Sequence, residues 1–251
     1  MFEASVYKSR RERLKKQLGS GTAVFIGNVD SAFNYPANPY HFRQDSNFLY
    51  FFGLDHPGMA GVVDADTGED WIFADDIEME DIIWMGPQQT VKDQAITVGV
   101  DKTASYSKLA DHIGEALNTG RRIHYAPPYR GETIMELAGL LGTKESAVKP
   151  GASVELIKAI VEQRSVKDEG EIAEIEKAID VAYLMHTTAM KMARPGVMEH
   201  EIAGTIEGIS LAHGGPVSFP VILSINGQIL HNHHHGNKLV EGRMIVTDAG
   251  S

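Results

Sequence analysis

Cysteine is absent from all 251 residues, which excludes disulfides, zinc–thiolate sites and thiol nucleophiles together. A reducing compartment is then the default, and the expected location is cytoplasmic. No apolar run approaches the roughly 20 residues that a membrane-spanning helix needs, and the basic N-terminus lacks the apolar core of a secretory signal. Basic charge is scarce as well. The formal net charge is −11 and the pI is near 5.4, so neither nucleic acid nor a membrane is expected as a partner. Catalytic signatures are also missing: no Gly-x-Ser-x-Gly elbow is present, and Gly19-Ser20-Gly21 is too short for a phosphate loop. His200-Glu201-Ile202-Ala203-Gly204 begins like a zinc-peptidase helix but has Gly204 where the second histidine must fall. Internal repeats and low-complexity segments are absent too.

What is present is ordinary globular material, with enough apolar content for one large domain or two modest ones. Lys8, Arg10, Arg11, Arg13, Lys15 and Lys16 cluster near the start, and Leu14 and Leu18 lie four apart beneath them. That pattern predicts a helix with a solvated basic face. Thr22–Ile26 and Phe48–Phe52 read as strands, with loop between them at 34–40. Residues 60–64 and 71–74 predict a hairpin across Asp66-Thr67-Gly68. Helices are expected over 77–85, 106–117, 132–141 and 154–162, with a short strand at 123–125. Strands mixed with helices over the first 150 residues indicate an α/β layer domain.

The clearest helix follows. Ile172, Ile175, Ile179, Tyr183, His186 and Met190 recur at three and four residues, acidic residues occupy the start, and Pro195-Gly196 stops it. A second helix is expected over 198–212. Asn226-Gly227 between Val221–Ile225 and Gln228–Leu230 is a hairpin signal. Met244–Val246 reads as a buried strand that delivers Asp248. One carboxylate cannot hold a divalent cation, which needs about six ligand atoms, so the partners of Asp248 must come from outside this stretch. His231, His233 and His235 would share one face of a strand and His234 would point away, although the Asn and Gly content favours a solvated loop for His233–His235.

Two separated stretches resemble one family, the Xaa-Pro aminopeptidases of the creatinase and methionine-aminopeptidase superfamily. Tyr40-His41-Phe42-Arg43-Gln44-Asp45-Ser46-Asn47-Phe48-Leu49-Tyr50-Phe51-Phe52-Gly53 is similar to the N-terminal signature aromatic-Arg-Gln-x-Ser-x-Phe-x-Tyr-x-x-Gly. Ile83-Trp84-Met85-Gly86 resembles the segment whose tryptophan lines the substrate pocket; a core aromatic under a helix is the alternative for Trp84. Arg164 to Ile172 resembles the opening of the catalytic domain, and Asn226-Gly227, Leu230-His231 and Asp248-Ala249-Gly250 follow in the family's order and spacing. Residues His233–His235 depart from the family's usual, less basic run.

The resemblance implies an α/β protein with a creatinase-like mixed-sheet domain at residues 1–163 and the first half of a pita-bread catalytic domain at 164–251. It implies two divalent metal ions, of the manganese class, about 3.5–4 Å apart. Asp248 would be the first ligand, with a second Asp, a His and two Glu completing the set. His231 would position substrate and assist proton transfer, and Trp84 would line the substrate site. The implied reaction removes the N-terminal residue from peptides with proline second, in a homodimer or homotetramer. A chain holding only the first ligand is expected to be inactive. A dipeptide-only prolidase and a non-catalytic assembly module are the alternatives.

Overall fold

The computed structural model describes residues 1–251, which form two compact units, Met1–Val166 and Lys167–Ser251. The first unit contains α1 (Ala4–Leu18), β1 (Thr22–Ile26), β2 (Ala32–Tyr35), β3 (Asn38–Pro39), α2 (Ser46–Phe52), β4 (Ala60–Asp64) and β5 (Asp70–Phe73). It continues with α3 (Met79–Met85), α4 (Val91–Thr97), β6 (Lys102–Ala104), α5 (Leu109–Asn118), β7 (Ile123–His124), α6 (Gly131–Leu140), α7 (Glu145–Val148) and α8 (Val154–Ser165). Five strands form one mixed sheet in the order β6-β5-β4-β1-β7. Strand β4 runs antiparallel to β1 and β5, whereas the outer pairs β1–β7 and β5–β6 are parallel.

Helices cover both faces of this sheet. Ala23 and Phe25 face a core that includes Tyr7 and Leu14 of α1, Phe48, Phe51 and Phe52 of α2, and Leu156 of α8. Val24 and Ile26 face the opposite core, with Leu109 and Ile113 of α5 and Leu137 of α6. All residues of β1 and β4 are therefore buried, and the strands read as continuous apolar runs rather than alternating ones.

Three local readings of the first unit differ from expectation. Phe48–Phe52 is a helix, not a strand. The Asp45 carboxylate accepts the N–H groups of Asn47 and Phe48 at 2.9 and 3.0 Å, and Gly53 ends the helix at φ +68° by donating to the Leu49 carbonyl. Caps at both ends outweigh the strand preference of an aromatic run. Glycine is required there, because a Cβ at Gly53 would lie 2.2 Å from Tyr7 Cζ. Second, the expected loop at 34–40 includes a small hairpin formed by β2 and β3.

Third, the basic N-terminal cluster is only partly a solvated face: Lys8, Arg13 and Lys16 are exposed, but the other three are not. Arg10, Arg11 and Lys15 are 3%, 0% and 8% exposed. The Arg11 guanidinium donates to the carbonyls of Phe51, Val98 and Gly99 at 2.8, 3.0 and 2.8 Å and to Asp70 Oδ2 at 2.9 Å. Burial lowers its pKa from the ordinary arginine value, opposed by the Asp70 charge. Arg10 lies over the Tyr50 ring, 4.0 Å from its centroid. Arg10 and Arg11 thus anchor α1 to α2, and Arg11 also to the loop after α4.

The signature around Arg43 is structural in much the same way. Gln44 is buried; its Oε1 accepts the N–H groups of Asn28 and Asp45, and its Nε2 donates to the His56 carbonyl. Arg43 donates to Ser46 Oγ at 3.0 Å. These bonds hold the segments after β1 and α2 together where backbone groups would otherwise be unpaired.

The second unit contains α9 (Glu169–Met192), α10 (Glu199–Ala212), β8 (Ile222–Ser224) and β9 (Val246–Asp248). A reciprocal cap starts α9: Glu171 N–H donates to Asp168 Oδ1 at 2.8 Å and Asp168 N–H to Glu171 Oε2 at 3.0 Å. Met185 and Ala189 of α9 pack with Ile202, Ala203 and Ile206 of α10 and with Val221 and Leu223. The stripe of Ile172, Ile175, Ile179 and Tyr183, by contrast, is 44–67% exposed. Periodicity locates the helix, but only its C-terminal part meets this core.

The hairpin predicted at Asn226-Gly227 does not form. Neither residue has positive φ, which the favoured two-residue turn requires, and Gly227 lies against Val246, whose Cγ2 would be 2.7 Å from an added Cβ. Strand β8 pairs instead with β9, antiparallel, in the register Ile222↔Asp248, Leu223↔Thr247, Ser224↔Val246. Nor is the last strand buried as expected, since Met244 is 88% exposed and β9 grades from half-buried to exposed. A two-stranded sheet leaves most of β9 without a covering layer.

Candidate metal and substrate site

Asp248 is the last residue of β9. Directly opposed residues of an antiparallel pair share a face, and alternate residues along each strand do so as well. Val221, Leu223 and Ala249 face the helices, which places Asp248, Ile222, Ser224 and Val246 on the other face. The Asp248 carboxylate is exposed. The next residue is fixed from behind: His186 Nε2 on α9 donates to the Ala249 carbonyl at 3.0 Å, and Ser218 N–H donates to the Gly250 carbonyl at 3.0 Å.

His231 lies in the irregular segment that follows β8, with its side chain exposed. Its neighbour Asn232 donates from Nδ2 to Ser224 Oγ at 3.0 Å, and Ser224 is on the Asp248 face. The segment bearing His231 is thus tied, through Asn232, to a residue on the Asp248 face. Asn232 Oδ1 also accepts the His234 N–H at 2.9 Å. His233 and His234 are exposed, whereas His235 is half-buried and donates from Nδ1 to the Leu223 carbonyl at 3.1 Å. The shared face considered for His231, His233 and His235 is not realised, because no strand forms there.

No group of three or more His, Asp or Glu side chains converges to hold a metal ion. The donor chemistry at Asp248 suits a hard divalent cation, since an exposed carboxylate is an oxygen ligand, but these residues offer one ligand rather than a complete site.

Trp84 belongs to the first unit. It lies on the seven-residue helix α3, which buries none of its residues, and it is 81% exposed beside Met79, Ile83 and Met85 at 67–75%. The core-aromatic alternative for Trp84 is thereby excluded.

The residue that organises the His231 segment carried no sequence signal of that role. Glu199, in the first turn of α10, is 0% exposed. Its Oε1 accepts the Ile225 N–H at 2.8 Å and Asn237 Nδ2 at 3.1 Å, and its Oε2 accepts the Asn237 N–H at 3.1 Å and Nδ2 at 2.9 Å. An acidic residue in a first turn is ordinarily accounted for by the helix dipole, which hides such a clamp.

Comparison with known proteins places these features. Residues 7–124 match the family model "Aminopeptidase P, N-terminal domain", and residues 173–251 match "Metallopeptidase family M24". The chain is 25% identical to the Xaa-Pro aminopeptidase of Escherichia coli over 97% of its own length and 58% of that relative. It is 26% identical to a probable Xaa-Pro aminopeptidase of Aspergillus fumigatus over 84% of its length and 46% of that relative. Among solved structures, a variant of Escherichia coli aminopeptidase P in complex with substrate superposes with a TM-score of 0.83 at 24% identity, covering 99% of this chain and 59% of that one. A zinc-substituted form of the same enzyme in complex with product gives the same TM-score and coverage. The chain thus spans somewhat over half the length of the Escherichia coli relative. Its fold is that of an aminopeptidase P N-terminal domain followed by part of the catalytic domain. In chain order, then, a match to an aminopeptidase P N-terminal domain is followed by a match to the M24 metallopeptidases, the arrangement to which this chain is similar.

Proposed function

We propose that this chain is the N-terminal portion of a dimetal Xaa-Pro aminopeptidase, hydrolysing the N-terminal residue from peptides whose second residue is proline. The observation that carries the reading is the tie from the His231 segment, through Asn232, to Ser224 on the Asp248 face of the β8–β9 sheet, within a chain matching both domain models. Asp248 would supply one carboxylate ligand to a pair of divalent cations, with manganese favoured by oxygen and imidazole donors. When bound, such a pair activates water and polarises the scissile carbonyl. The exposed imidazole of His231 would orient the substrate and carry a proton to or from it, a role open to a ring with one nitrogen that donates and one that accepts. Trp84 would offer an exposed aromatic face to substrate. A homodimer or homotetramer in the cytoplasm completes the reading. No helix is long and apolar enough to cross a membrane.

The test is hydrolysis of Xaa-Pro-Yaa peptides with added Mn²⁺ by the protein as its native gene encodes it, beside residues 1–251 alone. Turnover by the native protein and none by residues 1–251 is expected. Turnover by residues 1–251 would overturn the assignment of Asp248 as one ligand among several. Cleavage of Xaa-Pro dipeptides alone would move the assignment to a prolidase.

A further inference from the structure

We propose that Glu199 is a positioning residue for His231: its buried carboxylate clamps both feet of the 225–237 segment and so sets that segment over the face that bears Asp248. The inference rests on the reading of His231 as a substrate-handling group.

Glu199 is 0% exposed, and a carboxylate taken out of water is costly unless its oxygens are fully hydrogen-bonded. Here all four bonds given to its oxygens come from two residues, Ile225 at the start of the segment and Asn237 at its end. The helix backbone adds to the same seam, with Glu199 N–H donating to the Asn237 carbonyl at 2.9 Å and His200 N–H to the His235 carbonyl at 3.0 Å. Charge-assisted bonds of this kind are the strong ones, so one side chain closes a segment that has no helix or strand of its own. Between the two feet the segment is tied to β8 by the Asn226 N–H and Asn232 Nδ2, which both donate to Ser224 Oγ, and by His235 Nδ1, which donates to the Leu223 carbonyl. With its feet released, only these side-chain bonds and the short turn from Ile229 N–H to the Asn226 carbonyl would remain to place His231, and none of them comes from His231 itself.

Hydrogen exchange on the full chain reads the clamp directly. In Glu199→Ala, the amides of Asn226, Ile229 and His234, none of which touches Glu199, are expected to exchange at least about tenfold faster. Amides in the middle of α9 should keep their protection. Asn237→Ala removes two of the four bonds without burying a new group, and should give a smaller change of the same kind if Glu199→Ala fails to fold. Unchanged exchange at these three amides in a folded Glu199→Ala or in Asn237→Ala overturns the clamp.

Kinetics of the native protein then separate positioning from general stability. Glu199→Ala is expected to lower kcat by about 10- to 100-fold, the cost of a small misplacement of a reacting group. It should add nothing further in a His231→Ala background, because the two act as a unit. A full additional loss in the double variant overturns the positioning role. If His231→Ala alone leaves kcat unchanged while the exchange results stand, the clamp is real and the reading of His231 is what fails.

Discussion

Replacing Arg11 by methionine should destabilise the first unit far more than any surface change on α1. The guanidinium is fully buried and makes four hydrogen bonds, three to main-chain carbonyls and one to Asp70. Methionine keeps most of the aliphatic stem, so the loss is chiefly polar. Each hydrogen bond to a charged group contributes about 1.5–3 kcal/mol net. Much of that is returned by no longer burying the cation, whose lowered pKa records the desolvation. Asp70 keeps its ion pair with Lys15 at 3.2 Å, so its charge stays partnered although Oδ2 loses its hydrogen bond. What remains is the cost of leaving the Phe51, Val98 and Gly99 carbonyls without this donor, and breaking a buried charged network in this way costs roughly 3–5 kcal/mol. For a unit of this size that corresponds to a midpoint lower by roughly 10 °C. Urea unfolding followed by circular dichroism, with the exposed Arg13→Ala as control, measures it. The control should stay within about 0.5 kcal/mol of the parent. An Arg11→Met loss below about 1 kcal/mol would refute the idea that Arg11 anchors α1.

Other perturbations test separate joints of the structure. Gly53→Ala should cost roughly 2 kcal/mol or more, because alanine must adopt left-handed backbone and displace the Tyr7 ring; a neutral result in the same unfolding assay would remove that glycine's stated role. Asp45→Ala should cost about 1 kcal/mol through loss of the α2 cap; if α2 were a strand, that cap would carry no such cost. Burial lowers the pKa of His112 and His124 below the ordinary 6.5. The unfolded chain then takes up protons that the native state refuses, so their contribution is full above pH 6.5 and is lost as the pH falls through the lowered native values. Urea midpoints should therefore fall between about pH 8 and pH 5. His112→Phe, which replaces a ring with an unpartnered Nε2 between Trp71 and Phe73, should flatten that slope; an identical slope would contradict it.

The legible parts of the fold are those where local chemistry and tertiary demand agree. The α9 cap residues, the β4–β5 hairpin and the apolar run of β1 all state in sequence what the chain does in space. Phe48–Phe52 was illegible as a helix because aromatic content speaks for strand, while the decisive caps lie just outside the run at Asp45 and Gly53. Arg11 and Lys15 look solvated because their partners are carbonyls and an aspartate up to 88 residues away. The register of β8 depended on β9, which lies beyond the misleading Asn226-Gly227 turn. The candidacy of Asp248 and His231 rests on resemblance to a spaced pattern. Glu199 was not, because its four bonds concern feet of a segment that only the folded chain brings together.

The most direct measurement of the central claim is the effect of Asp248→Ala on Mn²⁺-dependent Xaa-Pro-Yaa hydrolysis by the native protein. Loss of even a supporting group around a metal costs about 10- to 100-fold, so loss of a ligand should exceed 100-fold, with a matching weakening of metal affinity. A variant that binds Mn²⁺ and cleaves Xaa-Pro-Yaa at the parent rate would contradict the account.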